Sequence, residues 1–251
     1  MIKEIEVELK TLLWSADIPQ LTMFVESESL GFQNSLKKEL KSKSYNCKVI
    51  EFEQIHRILL FSAKHYHTYL SDCTNIDSIT IFNKWLAYLF PERQLQLLVK
   101  EGKAFFTQVM PCERHKINHD YLLTLKDAYI LTGLLRMVEF LNLNHYKPSS
   151  ILLDKPTVFL PEAAQSNYAN IIRDILDLGH QVLLFVESSH LFDSIRVAIK
   201  NNRIDFNIVT AFYYDSFLGL NTEIEFDRNG RMSEVPDGMF DEFSLNARAL
   251  L

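Results

Sequence analysis

The chain has 251 residues, of which 47% are hydrophobic and 23% charged, a composition typical of a globular protein with a sizeable core. Its net charge of −6 excludes unspecific adhesion to nucleic acid over the whole surface. Three widely spaced cysteines do not make a disulfide framework, and no apolar run reaches membrane-spanning length, so the sequence predicts a protein of the reducing cytoplasm. With only 7 glycines, the chain is poor in the residue that phosphate-binding loops need.

The first half of the chain combines short apolar runs with longer helical patterns. Residues 2–9 alternate apolar and charged side chains, which is typical of a strand, and QLTMFV at 20–25 predicts a buried strand. A helix is expected over 30–43, before a strand over 47–52. Residues beyond 53 are mostly helical in pattern, and the helices expected there are 79–89, 92–100 and 126–145.

From Pro148 onwards, strands alternate with helices. The expected elements, in chain order, are a strand at 151–153, a helix at 163–178, a strand at 182–186, a helix at 191–201, and strands at 207–214 and 222–226. The tetrapeptide FVES occurs at 24–27 and again at 185–188, each time where a buried strand gives way to a helix. Alternation of this kind implies a largely parallel sheet.

Two segments of the second half resemble a known family. Residues 151–195 (ILLDKPTVFLPEAAQSNYANIIRDILDLGHQVLLFVESSHLFDSI) resemble the Walker B to switch-histidine region of ABC-type ATPases of the RecF/SMC/OLD-like group. The tail IEFDRNGRMSEVPDGMFDEF at 224–243 resembles a bacterial subfamily with a DUF3696-type C-terminus. The resemblance implies an α/β fold of the ABC ATPase or P-loop NTPase type, with a mostly parallel sheet and flanking helices. It further implies one domain over 1–251 with a helical subregion at 53–147.

The same resemblance places a phosphate loop at 26–33 in altered form. Gly31 is kept, but Phe32 stands where a lysine would bind the β- and γ-phosphates, and Gln33 stands where a hydroxyl would bind Mg²⁺. Lys126 stands in the signature segment, where glycine would let the backbone approach the γ-phosphate. Phenylalanine supplies neither charge nor a metal ligand, so this loop is expected not to hold a nucleotide.

The acidic end of the family's pattern is altered as well. Asp154 is kept, but Lys155 replaces the glutamate that would polarise water, and Glu187 replaces the histidine that would sense the γ-phosphate. Asp154 is expected to cap a helix or to pair with Lys155. Lys155 and Glu187 are interpreted either as a charge-swapped pair that closes the former site or as two solvated charges.

These substitutions lead to the hypothesis of a pseudo-ATPase. By resemblance, we expect a catalytically inactive subunit without a cofactor, which acts as scaffold or regulator in a bacterial anti-phage or DNA-processing complex. Its partner would be a protein, namely an active ATPase or nuclease from the same operon, in a homo- or hetero-oligomer. Nucleic acid would be reached through that complex, and no membrane is involved.

Two other functions remain open at this stage. A metal-dependent nuclease would use carboxylates clustered at strand ends, namely Glu26, Glu28, Asp154 and Glu187. A DNA-binding module without turnover would use a basic helix face, namely Lys37, Lys38, Lys41 and Lys43, for which a solvated face is the simpler interpretation.

A weak metal-ligand pattern lies in CERHKINH at 112–119. On a helix, His115 and His119 would share one face, with Cys112 nearby. Because only three candidate ligands are local, no metal site is predicted there.

Overall fold

The computed structural model describes most of the chain. The described residues are 4–7, 10–13, 19–26, 31–42, 47–51, 76–91, 95–100, 103–108, 125–144, 147–215, 220–236 and 238–240. Every structural statement below concerns these residues.

A six-stranded sheet forms the centre of the molecule. Its strands, in chain order, are β3 (Leu21–Glu26), β4 (Cys47–Glu51), β7 (Ser150–Asp154), β8 (Gln181–Phe185), β9 (Val209–Asp215) and β10 (Leu220–Glu225). In space they follow the order β10-β9-β3-β8-β7-β4, and every neighbouring pair is parallel except the antiparallel β9–β10 hairpin. Both β7 and β8 are buried at all five positions, which explains why they read as continuous apolar runs. The predicted α/β class with a mostly parallel sheet is confirmed.

Among the described residues, five α-helices accompany this sheet. They are α1 (Gly31–Ser42), α2 (Ile76–Leu89), α3 (Leu125–Leu143), α4 (Glu162–Asp177) and α5 (Ser189–Lys200). Helix α1 packs Phe32, Leu36 and Leu40 onto one face of the sheet, against a small apolar cluster that includes Leu152 and Leu183. The spacing of four residues places these three side chains on one side of the helix.

The opposite face of the sheet bears the main hydrophobic core. Residues of alternate position in the same strands, such as Leu153 and Leu184, belong to this core together with buried residues of α2, α3, α4 and α5. Asp174 of α4 is buried there, where it accepts a hydrogen bond from Trp85 Nε1 at 3.1 Å and pairs with Lys84 at 2.8 Å. Helix α2 is therefore fastened to α4 by a polar contact within an apolar interface.

The segment between β4 and β7 contains strands as well as helices. A hairpin joins β5 (Leu95–Lys100) to β6 (Lys103–Gln108), so the helix expected over 92–100 is wrong for residues 95–100. A short segment with four apolar residues in six, LQLLVK, fits a helix or a strand by its pattern, and in the structure it pairs with β6 as a strand. The N-terminal region likewise forms a hairpin of β1 (Glu4–Val7) with β2 (Lys10–Leu13), where one strand over 2–9 was expected.

A tight turn follows β10, between the bridge partners Phe226 and Met232, and contacts α5. The Asp227 carboxylate accepts hydrogen bonds from the backbone N–H groups of Asn229 and Arg231, and Gly230 takes a positive φ of 71°. The Gly230 carbonyl accepts from Arg196 Nε at 2.9 Å, and a Cβ at this glycine would lie 2.3 Å from the Arg196 carbonyl oxygen. The close contact of this turn with α5 therefore requires glycine at position 230.

Candidate functional site

Two acidic residues stand side by side where strands β4 and β7 end. Glu51 is the last residue of β4, Asp154 is the last residue of β7, and the two are direct partners in the parallel register. Partners on neighbouring strands point to the same face of the sheet, and strands lie about 4.8 Å apart. The fold therefore places two carboxylates next to each other at the carboxyl edge of the sheet, the edge at which open α/β sheets bind ligands.

Helix α1 supplies the groups that these carboxylates contact. Gln33, Lys37 and Lys41 follow one another at intervals of four residues and form what we term the α1 polar face. Gln33 Nε2 donates to Asp154 Oδ1, and Lys37 Nζ donates to Asp154 Oδ2 at 2.9 Å. Lys37 Nζ also lies 3.4 Å from Glu51 Oε1, and Lys41 Nζ lies 3.0 Å from Glu51 Oε2. All four carboxylate oxygens are thus matched by donors from a single helix.

Because these ion pairs are mostly buried, breaking one of them should change the stability of the fold more than breaking an ion pair on the surface. The side chains of Lys37, Glu51 and Asp154 are 12%, 13% and 8% exposed, whereas that of Lys41 is 52% exposed. Burial raises the pKa of the Asp154 carboxyl above its ordinary value, while the hydrogen bond and charge of Lys37 act in the opposite direction. Removing one partner of such a buried pair leaves an uncompensated charge, which is strongly destabilising.

Phe32 lies on the other side of α1 and points into an aromatic cluster. Its ring centroid is 5.7 Å from that of Phe24 and 5.2 Å from that of Tyr214. Phe24 further pairs with Phe185 at 5.3 Å, and these two residues, one from each FVES segment, are register partners on β3 and β8. Phe32, which the sequence resemblance aligns with a phosphate-binding lysine, is therefore a core residue that is 3% exposed.

Glu187 makes a second polar contact just beyond β8. Its carboxylate accepts a hydrogen bond of 2.7 Å from the hydroxyl of Thr157, which is fully buried. Although Glu187 as a residue is exposed, protein around its carboxyl raises the pKa of that group, and the Thr157 hydrogen bond and the charge of Lys155 oppose the shift. The Thr157 hydroxyl therefore donates to one carboxylate oxygen of Glu187.

Lys155 follows Asp154 in an unusual backbone conformation. Its φ is +50°, a left-handed value that few residues other than glycine adopt. Its positive charge opposes the rise in pKa that burial causes at both Asp154 and Glu187. Asp154 itself caps no helix, because the next helix, α4, begins at Glu162 with Pro161 as its N-cap residue. The expected capping role of Asp154 is therefore wrong.

The other predicted site residues are dispersed. Gly31 is the first residue of α1, Glu26 ends β3, Lys126 lies in the first turn of α3, and Lys38 is exposed on α1. The predicted positions outside the described residues are Glu28, Lys43, Cys112, His115 and His119. Within the described ranges, no group of three or more His, Cys, Asp or Glu side chains is arranged to hold a metal ion.

Sequence reasoning did not single out Glu51 or Thr157. Glu51 is the last polar residue of an expected strand, and the spacing of Gln33, Lys37 and Lys41 already marks one side of a helix. One signal indicates a polar helix face and the other an acidic strand end, but neither indicates that the two are in contact. Their contact depends on the β4–β7 register, which brings together residues 103 positions apart.

A separate groove of about 260 Å³ lies between the start of α5 and the C-terminal segment. Its apolar side chains include Phe192, Met232 and Met239, and the ion pair of Asp193 with Arg196 lies on its polar side. None of the strand-end residues described above lines this groove.

Comparison with known proteins gives structural neighbours only. Neither a protein-family model nor a curated protein matches the chain. An SMC head from Thermotoga maritima is 12% identical over 86% of this chain and 93% of its own, with a TM-score of 0.46. An SMC head bound to the C-terminal winged-helix domain of ScpA is 12% identical over 77% of this chain, with a TM-score of 0.45. A Pyrococcus furiosus SMC head with an extended coiled coil, bound to the C-terminal domain of ScpA, is 9% identical over 69% of this chain, with a TM-score of 0.34.

The chain is shorter than two of these neighbours. It spans 61% of the ScpA-bound head and 38% of the Pyrococcus furiosus head.

Across the part of the chain that the structure describes, no helix has both the length and the apolar character needed to cross a membrane.

Proposed function

We propose that this chain is a catalytically inactive ABC ATPase-like subunit that acts by binding a protein partner. One observation carries the proposal: the Asp154 carboxylate, which by the sequence pattern would hold the nucleotide-bound Mg²⁺, is bonded to Gln33 and Lys37 of the same chain. A metal ion at this position would have to displace an ammonium group that is largely shielded from water. The cost of separating a buried ion pair opposes that exchange.

The residue at the phosphate-loop position supports the same conclusion. Phe32 is packed between Phe24 and Tyr214, so replacing its side chain is a change to the core and not only to a binding loop. A charged group at this position would lose its hydration and find aromatic neighbours in place of phosphate. The packing of Phe32 against Phe24 and Tyr214 therefore supports the proposal that α1 does not bind a nucleotide.

The contacts of the basic residues do not favour the DNA-binding alternative. Lys37 and Lys41 are engaged by Glu51 and Asp154, which cancels most of the positive charge that this face would offer to phosphates. The nuclease alternative gains no support either, since Asp154 is already bonded through both of its oxygens. We therefore assign the chain a role as scaffold or regulator in a bacterial anti-phage or DNA-processing complex, with an active ATPase or nuclease as partner.

Calorimetric titration with Mg-ATP tests the nucleotide part of this proposal. We expect no binding heat at ligand concentrations of about 1 mM and no release of phosphate, with thermal unfolding of the same sample showing that the protein is folded. Micromolar affinity for Mg-ATP would overturn the proposal.

Affinity purification from the native host tests the partner part. We expect a stoichiometric protein partner that remains bound after washing with nuclease and with EDTA. Recovery of the chain alone, or of nucleic acid without protein, would contradict the proposed mode of action.

A further inference from the structure

The pairing of β4 with β7 creates an electrostatic conflict. Glu51 and Asp154 are adjacent, mostly buried and both acidic, and like charges directly across a pair of strands are destabilising. A cation placed between the two carboxylates offsets their repulsion. In the structure this cation is the ammonium group of Lys37, which lies 2.9 Å from Asp154 Oδ2 and 3.4 Å from Glu51 Oε1.

We propose that Asp154 and Glu51 form a two-carboxylate cation site, and that Lys37 is a tethered cation that permanently occupies it. The ligand class of the site is a hard divalent ion such as Ca²⁺ or Mg²⁺, which prefers carboxylate oxygens. Because Lys37 belongs to the same chain, its local concentration is high at all times and no free metal ion is needed. Helix α1 is therefore held on the sheet independently of metal and nucleotide.

The other contacts of the same carboxylates fit this role. The other oxygen of Asp154 accepts a hydrogen bond from Gln33, and the other oxygen of Glu51 accepts one from Lys41. The Lys37 ammonium is thus the one group of the α1 polar face that contacts both acids. The inference rests on the proposed function, in which this pocket does not take up a nucleotide-bound metal, and it adds that the site is regulated by no metal at all.

Lys37→Met tests the proposal because it keeps most of the length of the side chain and removes the charge. Thermal unfolding of the wild type should be the same in EDTA and in about 10 mM Ca²⁺ or Mg²⁺, a concentration above the dissociation constants of weak carboxylate sites. The Tm of Lys37→Met in EDTA should be lower by about 5–10 °C, since one partner of a largely buried ion pair is lost. Adding Ca²⁺ to this variant should restore part of the loss, because an ion that binds only the folded state stabilises it.

Lys38→Met is the matched control, because Lys38 is the exposed neighbour of Lys37 on the same helix. It should leave the Tm nearly unchanged and insensitive to Ca²⁺. The double variant Lys37→Met with Asp154→Asn should also lose the response to Ca²⁺, since only one carboxylate of the site remains. If Lys37→Met does not fold, the double variant must fold, because it removes the uncompensated charge; failure of both would overturn the proposal.

Two further results would contradict the inference. One is a folded Lys37→Met variant whose Tm does not respond to divalent ions. The other is a wild type that gains as much stability from Ca²⁺ as the variant does. Neither result bears on whether the wild type binds Mg-ATP. Binding of Mg-ATP to the wild type would by itself overturn the proposed function.

Discussion

Placing a lysine at position 32, which the sequence resemblance aligns with a phosphate-loop lysine, should destabilise the fold without producing nucleotide binding. In Phe32→Lys, a ring that is 3% exposed is lost from between Phe24 and Tyr214. Removing a buried phenylalanine costs about 3–5 kcal/mol, and for a chain of this size each kcal/mol lowers Tm by about 2–4 °C. The Phe32→Lys variant should therefore unfold about 10 °C or more below the wild type.

The assay is thermal unfolding of Phe32→Lys followed by calorimetric titration with Mg-ATP at a temperature at which the variant is folded. Phe32→Leu is the control, since leucine keeps an apolar side chain and loses mainly the aromatic pairs, at about 1 kcal/mol for each pair. Its Tm should fall by only about 4–8 °C. If Phe32→Lys were as stable as the wild type and bound Mg-ATP, the inference that packing has closed the nucleotide site would be refuted.

Three other substitutions test separate parts of the structure. Gly230→Ala should cost about 2 kcal/mol or more, because its Cβ would strike the Arg196 carbonyl and alanine resists a positive φ; a lower urea midpoint with an unchanged m-value checks this, and an unchanged midpoint would contradict it. Trp85→Phe should cost about 2–3 kcal/mol in thermal unfolding, because buried Asp174 loses an indole donor, and a neutral effect would show that Lys84 compensates fully. Glu187→Gln concerns a carboxyl whose pKa is raised in the folded state, so the wild type loses stability as pH rises above about 4.5 and the variant does not. The stability of Glu187→Gln relative to wild type should therefore increase from pH 4 to pH 7, and a decrease would contradict the burial argument.

Local pattern was sufficient for most elements around the sheet. Runs such as ILL at 151–153 and VLLFV at 182–186 predicted β7 and β8 to within a residue or two, because buried parallel strands are apolar on both faces. Helix α1, expected over 30–43, spans Gly31–Ser42. The pattern failed at 95–100, where a short apolar run became a strand only because β6 pairs with it.

The sequence by itself determined the class of the fold, and its resemblance to ABC-type ATPases placed phenylalanine, lysine and glutamate at positions where a nucleotide site would need other side chains. It also singled out Asp154 and Gln33, and it grouped Lys37, Lys38, Lys41 and Lys43 as one basic helix face. Only the tertiary structure decided what that face does, because the register of β4 on β7 places Glu51 beside Asp154 and α1 crosses them both. Contacts between residues more than a hundred positions apart depend on how the strands are ordered in space, and no local periodicity contains that order.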